Sequence, residues 1–203
     1  MKTKIVFATG NANKMREIRE ILGEDNYDIK SMKEAGIDID IVEDGTTFEE
    51  NSLIKSRAIH QVCPDAIVLA DDSGLEIDAL NKEPGIYSAR YMGEDTSYDI
   101  KNANLIERLA GVEKKDRSAR FVCAVSAVFP DGSESVVRGT IEGYIGYEPS
   151  GENGFGYDPI FYLWEKDVST ASLPREEKNA ISHRGQGLRM IKKEIEKYEN
   201  SRG

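Results

Sequence analysis

The run Thr9-Gly10-Asn11-Ala12-Asn13-Lys14 follows a short apolar stretch, "KIVFA", and opens a helical pattern. It offers a small hydroxyl, a flexible glycine, amide side chains, backbone N–H groups at a helix N-terminus and a lysine in the first turn. These are the ingredients of a phosphate site. The run is neither a GxxxxGKS/T loop nor a GxGxxG fingerprint, so a strand-to-helix turn capped by Asn is the competing reading. Lys14 weighs against that reading, because a cation at a helix N-terminus opposes the dipole unless an anion joins it.

The stretch "LADDSG" brings Asp71, Asp72 and Ser73 together just past another apolar run. The carboxylates are hard oxygen ligands for Mg²⁺, and one of them could draw a proton from water. Adjacent carboxylates repel each other unless a cation intervenes, which favours chemistry over a simple Asx turn. Glu43 or Glu50 could add a ligand, although Glu50 is also spaced to complete a capping box with Thr47. In "GFGYDP" the glycines around Phe155 let backbone approach a ligand while the ring stays free to stack, and Asp158 could accept from ring N–H groups. A β-bulge with a core Phe explains that stretch equally well. The segment "EEKNAISHR" adds His183 and Arg184, which otherwise read as solvated residues after a capping Ser.

The elements that must position these residues follow from periodicity. Residues 4–8 read as a buried strand, and Met15, Ile18, Ile21 and Leu22 recur at helical spacing up to Gly23. A second helix is expected after Thr47, with an apolar stripe of Leu53, Ile54, Ala58 and Val62 and Pro64 as its stop. "AIVLA", 66–70, reads as a central strand ending in a loop at Asp71–Gly74. Thr96 or Ser97 caps a third helix carrying Ile100, Leu105, Ile106 and Leu109. "SARFVCAVSAVF" and "SESVVRGTIEGYIG" flank the turn "PDG" as a hairpin, and another strand follows "GENGFGYDP". Leu188, Ile191, Ile195 and Tyr198 predict a long amphipathic closing helix with His183 and Arg184 at its start. No repeat or linker interrupts the pattern, so the expectation is one mixed α/β domain over 1–203.

Bulk properties narrow the partners. The 37 acidic and 27 basic side chains give a formal net charge of -10, which repels a polyanion and predicts no nucleic-acid partner. Cys63 and Cys123 have no CxxC spacing and no His pair nearby, so neither a disulfide framework nor a zinc site is expected. The apolar stretch at the N-terminus is too short for a signal-peptide core, and "FVCAVSAVF" is too short for a membrane span. A cytoplasmic protein without a membrane partner is the resulting expectation.

Taken together, "ATGNANK", "TTFEENSLIKSRA", "ADDSGLEIDAL", "PGIYSARYMGED", "GENGFGYDPIF" and "REEKNAISHRG" occur in the order and at the intervals of the inosine triphosphate pyrophosphatase family, also called XTP/dITP diphosphatases. The resemblance covers nearly the whole chain. It implies an α/β fold with a long mixed twisted β-sheet flanked by helices and two lobes around a central substrate cleft, in a homodimer. It implies Mg²⁺-dependent hydrolysis, with Mn²⁺ as an alternative ion, of ITP, dITP and XTP to the monophosphate and pyrophosphate. Carried over by position, Thr9, Gly10, Asn11, Ala12, Asn13 and Lys14 hold the triphosphate, Asp72 is the general base, and Glu43 with Asp72 serves the metal. Lys14 has a catalytic part as well. Ser73, Phe155, Gly156, Tyr157, Asp158, Lys178, His183 and Arg184 hold the rest of the substrate.

The chemistry of the residues agrees with those roles. Pyrophosphate leaves easily only if its developing charge is neutralised, a task for Mg²⁺, Lys14 and Lys55. Hypoxanthine and xanthine carry a 6-oxo acceptor where adenine has a 6-amino donor, so a donor from His183 or Arg184 would select for them. Two other readings are a nucleotide sensor without hydrolysis and a pyrophosphohydrolase of other base specificity. The paired carboxylates disfavour the sensor, since a pure phosphate binder gains nothing from added negative charge. A Nudix enzyme is disfavoured because "REIREILGE" lacks an adjacent glutamate pair.

Overall fold

Period-two burial in the first strands sets the architecture. In the computed structural model, which describes residues 2–202, β1 (Thr3–Phe7) sends Ile5 and Phe7 into one apolar cluster and Val6, with the following Ala8, into another. β3 (Ile67–Ile77) does the same with Ile67 and Leu69 against Val68 and Ala70. Both faces are covered, so these strands read as unbroken apolar runs rather than as an alternation. β2 (Tyr27–Ser31) and β3 both pair parallel to β1, with Ile5 opposite Ile29 on one side and Ile67 on the other.

The first cluster lies under α1 (Ala12–Leu22) and α5 (His183–Asn200), which contribute Met15, Ile18, Leu22, Leu188, Ile191 and Ile195. Gly23 ends α1 at φ +84°, a left-handed conformation that suits glycine at a helix C-terminus. The second cluster takes Ile59 from α2 (Phe48–Val62). The remaining elements are α3 (Tyr98–Arg108), β4 (Ser118–Val128), β5 (Glu134–Ile145), β6 (Phe161–Leu163), β7 (Val168–Ser169) and α4 (Arg175–Ile181). The seven strands form a mixed sheet in the order β2-β1-β3-β4-β5-β6-β7, with β6 antiparallel to β5 and β7. The expected long mixed sheet flanked by helices is the observed fold.

The chain divides into two compact units. One comprises Met1–Asp72, Cys123–Gly139 and His183–Gly203, and the other Ser73–Val122 and Thr140–Ser182. The second has its own core, built on Leu75, Ile77, Leu105, Leu109, Phe121, Ile145 and Phe161. Among the described residues, no helix is long and apolar enough to cross a membrane.

Three expectations need correction. Asp71–Gly74 does not form a loop after a strand: β3 runs straight through it to Ile77, because Leu75 and Ile77 resume burial beyond the polar residues. α2 does not bury the stripe Leu53, Ile54, Ala58 and Val62. Its buried face is Phe48, Asn51, Ser52, Ser56 and Ile59, and Val62 is exposed. In α3, likewise, Ile100 is exposed while Lys101, Asn102 and Leu105 are buried. Apolar periodicity misleads here because the buried polar groups have partners. Ser52 Oγ donates to the carbonyl of Ala70 at 2.9 Å, and Ser52 and Ser56 each meet Ser126 Oγ at 2.8 Å. Hydroxyls satisfied in this way are tolerated in a core.

Candidate active site

Successive side chains of a strand point to opposite faces, and this separates the two adjacent aspartates. Asp71 falls on the α1/α5 side with Ile67 and Leu69, and Asp72 on the α2 side with Val68 and Ala70. Asp71 pairs directly with Lys14 and Arg184 and Asp72 with Asn51, while the Lys55 charge acts on both carboxylates, so the cation expected to offset their mutual repulsion is supplied by the protein's own side chains.

On the α1/α5 side Asp71 is 1% exposed. It accepts from Lys14 Nζ at 3.0 and 3.1 Å, from Arg184 Nε at 3.4 Å and from the Cys123 thiol at 3.9 Å. Arg184 also donates to Glu17 at 2.6 Å, so Lys14, Asp71, Arg184 and Glu17 form a neutral, largely buried chain of alternating charge. Burial alone would raise the Asp71 carboxyl, but the charges of Lys14, Arg184 and Lys55 outweigh it and hold the group well below the usual range. Burial likewise works against the Arg184 guanidinium, and Asp71 and then Cys123 and Glu17 keep it charged. The anion that Lys14 requires at the α1 N-terminus is therefore, in the folded protein, the carboxylate of Asp71.

The turn before α1 is tightly capped. Thr9 Oγ1 accepts from the Asn11 N–H at 3.1 Å, and Asn11 Oδ1 accepts from those of Asn13 and Lys14 at 2.9 and 3.2 Å. Two of the amides expected to face phosphate are thus held by Asn11, while Gly10, Asn11, Ala12 and Asn13 stay exposed and Lys14 half-buried. α5 delivers His183 and Arg184 by approaching β5 very closely. A Cβ on Gly139 would lie 2.1 Å from the His183 carbonyl and 2.8 Å from the Gly187 nitrogen, so only glycine permits the approach. Both side chains are buried.

On the α2 side, Asp72 is 13% exposed and accepts from Asn51 Nδ2 at 3.2 Å. The Lys55 ammonium lies 2.9 Å from Glu43 and 4.0 Å from Asp72 Oδ1, between the two acids. Burial, aided by the Glu43 and Asp71 charges and opposed by Lys55 and Asn51, pushes the Asp72 carboxyl up to about 6. Burial disfavours the Lys55 charge, yet Asp71, Asp72 and Glu43 together hold it above its ordinary value. Glu50 lies apart from this group: its carboxylate accepts from the Thr46 N–H and hydroxyl at 2.7 and 2.9 Å, as a helix cap.

Glu43 and Asp72 already flank one cation, the Lys55 ammonium, so their oxygens fit a positive ion. No group of three or more His, Cys, Asp or Glu able to hold a metal occurs among the described residues. Two carboxylates suit Mg²⁺, which draws its other ligands from water and phosphate, better than an ion that needs a protein cage.

In the other unit, three donors converge on Asp158. The Phe155 N–H lies at 2.8 Å and Lys178 Nζ at 2.7 Å from Oδ2, and Thr170 Oγ1 at 2.8 Å from Oδ1. A Cβ on Gly154, which has φ +76°, would lie 2.3 Å from Asp158 Oδ2, so glycine is needed for the loop to close over the acid. Lys178 also stands 5.0 Å from the centre of the Phe155 ring. Tyr157 is buried and donates to the Ser88 carbonyl at 2.6 Å, while the Gly156 carbonyl accepts from Asn102 at 3.1 Å. Ser73 is half-buried within β3. Asp158 in this structure organises the Phe155 loop rather than presenting a free acceptor.

Sequence reading passed over Asn51 and Glu17. Glu17 lies three residues after Lys14 and Asn51 four before Lys55, each one helical turn from a lysine already under suspicion; that spacing is the signal that could have found them.

Comparison with known proteins adds to this geometry. The model of the Ham1 family matches residues 5–194. A dITP/XTP pyrophosphatase of Clostridium perfringens is 47% identical over 194 residues, spanning 93% of this chain and 95% of its own. One from Bacillus subtilis is 45% identical over 196 residues, spanning 97% and 98%. Among solved structures, the Ham1 protein of Staphylococcus aureus superposes with a TM-score of 0.86 at 41% identity, over 97% of this chain and all (100%) of that one. A HAM1 protein from Coxiella burnetii also gives 0.86, at 38% identity, over 96% and 99%.

Proposed function

Because this chain belongs to the Ham1 family, we propose that it hydrolyses deaminated purine nucleoside triphosphates, namely ITP, dITP and XTP, to the monophosphate and pyrophosphate, clearing them from the nucleotide pool. One observation carries the reading: the part-buried Asp72 carboxylate is oriented by Asn51 Nδ2 at 3.2 Å, with Lys55 4.0 Å away and Glu43 on the far side of that ammonium at 2.9 Å, and burial pushes the Asp72 carboxyl up. A carboxylate tuned toward neutrality accepts a proton from water at physiological pH better than an ordinary one.

In the reaction, a water oxygen attacks the α-phosphorus, its proton passes to Asp72, and the bond from that phosphorus to the α–β bridging oxygen breaks to release pyrophosphate. Thr9, Gly10, Asn11, Ala12, Asn13 and Lys14 bind the triphosphate, with the Lys14 ammonium fixed by Asp71 and its charge offsetting that of the leaving group. Glu43 and Asp72 would hold Mg²⁺, or Mn²⁺ in its place, which when bound neutralises phosphate charge and acidifies water. Ser73, Phe155, Gly156, Tyr157 and Lys178 bind the nucleoside, with Phe155 as the stacking ring and Asp158 as the anchor of its loop. The cytoplasm, where nucleotides are used, is the proposed location, and a homodimer the proposed assembly.

Base selection falls chiefly to His183. The guanidinium of Arg184 is engaged by Asp71 and Glu17, which makes Arg184 a rigid neighbour. A donor aimed at a 6-oxo group faces another donor in ATP, and a mismatch of buried polar groups costs about 1 to 3 kcal/mol each. The test is pyrophosphate and monophosphate release from ITP, XTP, GTP and ATP with Mg²⁺. Rapid pyrophosphate release from ITP and XTP, with ATP and GTP slower by about two orders of magnitude or more, is expected. Orthophosphate release, or equal rates on ATP, would refute the proposal. His183→Ala is expected to narrow the ITP-to-ATP ratio by about tenfold or more, with a smaller fall in turnover on ITP. Equal losses on both substrates would remove His183 from base selection.

A further inference from the structure

We propose that Asn51 is a positioning residue that ties the loop carrying Glu43 to the carboxylate of Asp72, so that one side chain sets both acids. The inference rests on the roles assigned above to Glu43 and Asp72. Asn51 is 1% exposed, near the start of α2. Its Oδ1 accepts from the Gly45 N–H at 2.9 Å, and its Nδ2 donates to Asp72 Oδ2 at 3.2 Å.

The partners themselves fix the orientation of that amide. A backbone N–H needs an acceptor and an ionised carboxylate needs a donor, so the flipped amide would set like against like at both ends. No other side chain of this size serves both. Aspartate would satisfy Gly45 but present a further negative charge to Asp72, and leucine, of similar volume, would satisfy neither.

The loop shows the same constraint independently. A Cβ on Gly45 would lie 2.7 Å from Asn51 Oδ1, 2.8 Å from Glu50 Cβ and 3.0 Å from the Asn51 nitrogen. The loop can therefore close onto α2 only through a glycine, and Glu43 stands two residues before that clamp. At the other end, with Oδ2 of Asp72 held by Asn51, Oδ1 is the oxygen that faces Lys55 at 4.0 Å. Asn51 reaches the reaction only through Asp72 and Glu43, which is the sense in which it positions rather than catalyses.

The test compares wild type, Asn51→Leu and Gly45→Ala in two ways: hydrogen exchange of individual backbone amides by NMR in the free protein, and steady-state hydrolysis of ITP. In Asn51→Leu the Gly45 amide is expected to exchange at least about tenfold faster, while amides of β1 and α5 keep their protection. Its kcat should fall by about 10²-fold, the scale of an ångström-size misplacement, with KM within about threefold of wild type. Gly45→Ala, with Asn51 in place, should show the same split. A protected Gly45 amide in Asn51→Leu, or an unchanged kcat, overturns the proposal. So does a parallel loss of protection in β1 and α5, which would mark a residue needed only for folding. If wild type releases no pyrophosphate from ITP, the assigned activity fails by itself, and the exchange at Gly45 still decides whether the tether exists.

Discussion

Asp72→Asn is expected to lower kcat on ITP by about 10²- to 10⁴-fold, the range lost with a general base, and at the same time to make the ligand-free protein more stable at neutral pH. The second half follows from linkage. The folded carboxyl is raised to about 6 by burial and by Glu43 and Asp71, whereas in an unfolded chain it titrates near the ordinary value of about 4. A carboxyl whose folded value is raised stabilises the fold below the unfolded value, and that contribution is lost as pH rises through the folded one. The ionised Asp72 side chain therefore costs up to about 3 kcal/mol above pH 6. Asparagine keeps the oxygen that accepts from Asn51 and sheds the charge. Thermal melts in chelator at pH 4.5 and pH 7.5 would show wild type losing stability between the two and the variant losing less. A variant that retains wild-type kcat removes Asp72 from the reaction, and one that melts lower at pH 7.5 contradicts the electrostatic account.

The largest stability loss is expected at the neighbouring aspartate. Asp71→Asn leaves the shape of the side chain but removes the counter-charge of Lys14 and Arg184, both within 3.4 Å of it. Breaking a buried ion pair from one side typically costs about 3 to 5 kcal/mol, because the surviving charge has no compensation. Urea denaturation at pH 7 should show that loss, and Lys14→Met added to Asp71→Asn should recover part of it. The sign of the pH dependence is opposite to that of Asp72. Asp71 is held below the usual range, so its contribution is present above the unfolded value of about 4 and declines only as the solution becomes more acid. A loss under about 1 kcal/mol would place the pair in the class of solvated surface bridges.

These opposite behaviours explain how much of the site could be read from the chain. The helices α1 and α5 were legible because their buried residues are apolar at helical spacing, and α2 was legible from its cap at Thr47. The face that α2 buries was not, since Asn51, Ser52 and Ser56 look like solvent-facing residues until Ala70, Ser126 and Asp72 are known to meet them. β2, β7 and α4 are short, and their apolar residues are too few to set a period. The carboxylates of "DDSG" stood out as chemistry, but a run of polar residues reads as a loop. Only the renewed burial at Leu75 and Ile77 shows that the strand continues and that neighbours in sequence face opposite ways. At Lys14 the sequence suggests bound phosphate, but the anion beside it in the fold is Asp71, and a partner 57 positions away in the chain is beyond any local pattern.

The continuity of β3 through Asp71 and Asp72 has a consequence for which changes the gene can tolerate. Point substitutions at Ile67 to Ala70 alter only packing, but the loss or gain of one residue there inverts every side chain that follows until the register is restored. The second aspartate would then turn toward Lys14 and Arg184 and the first toward Asn51 and Lys55, with no amino-acid type altered at either position. The length of this stretch is thus inherited information of the same rank as the identity of its acids, and descent should vary its letters far more freely than their number.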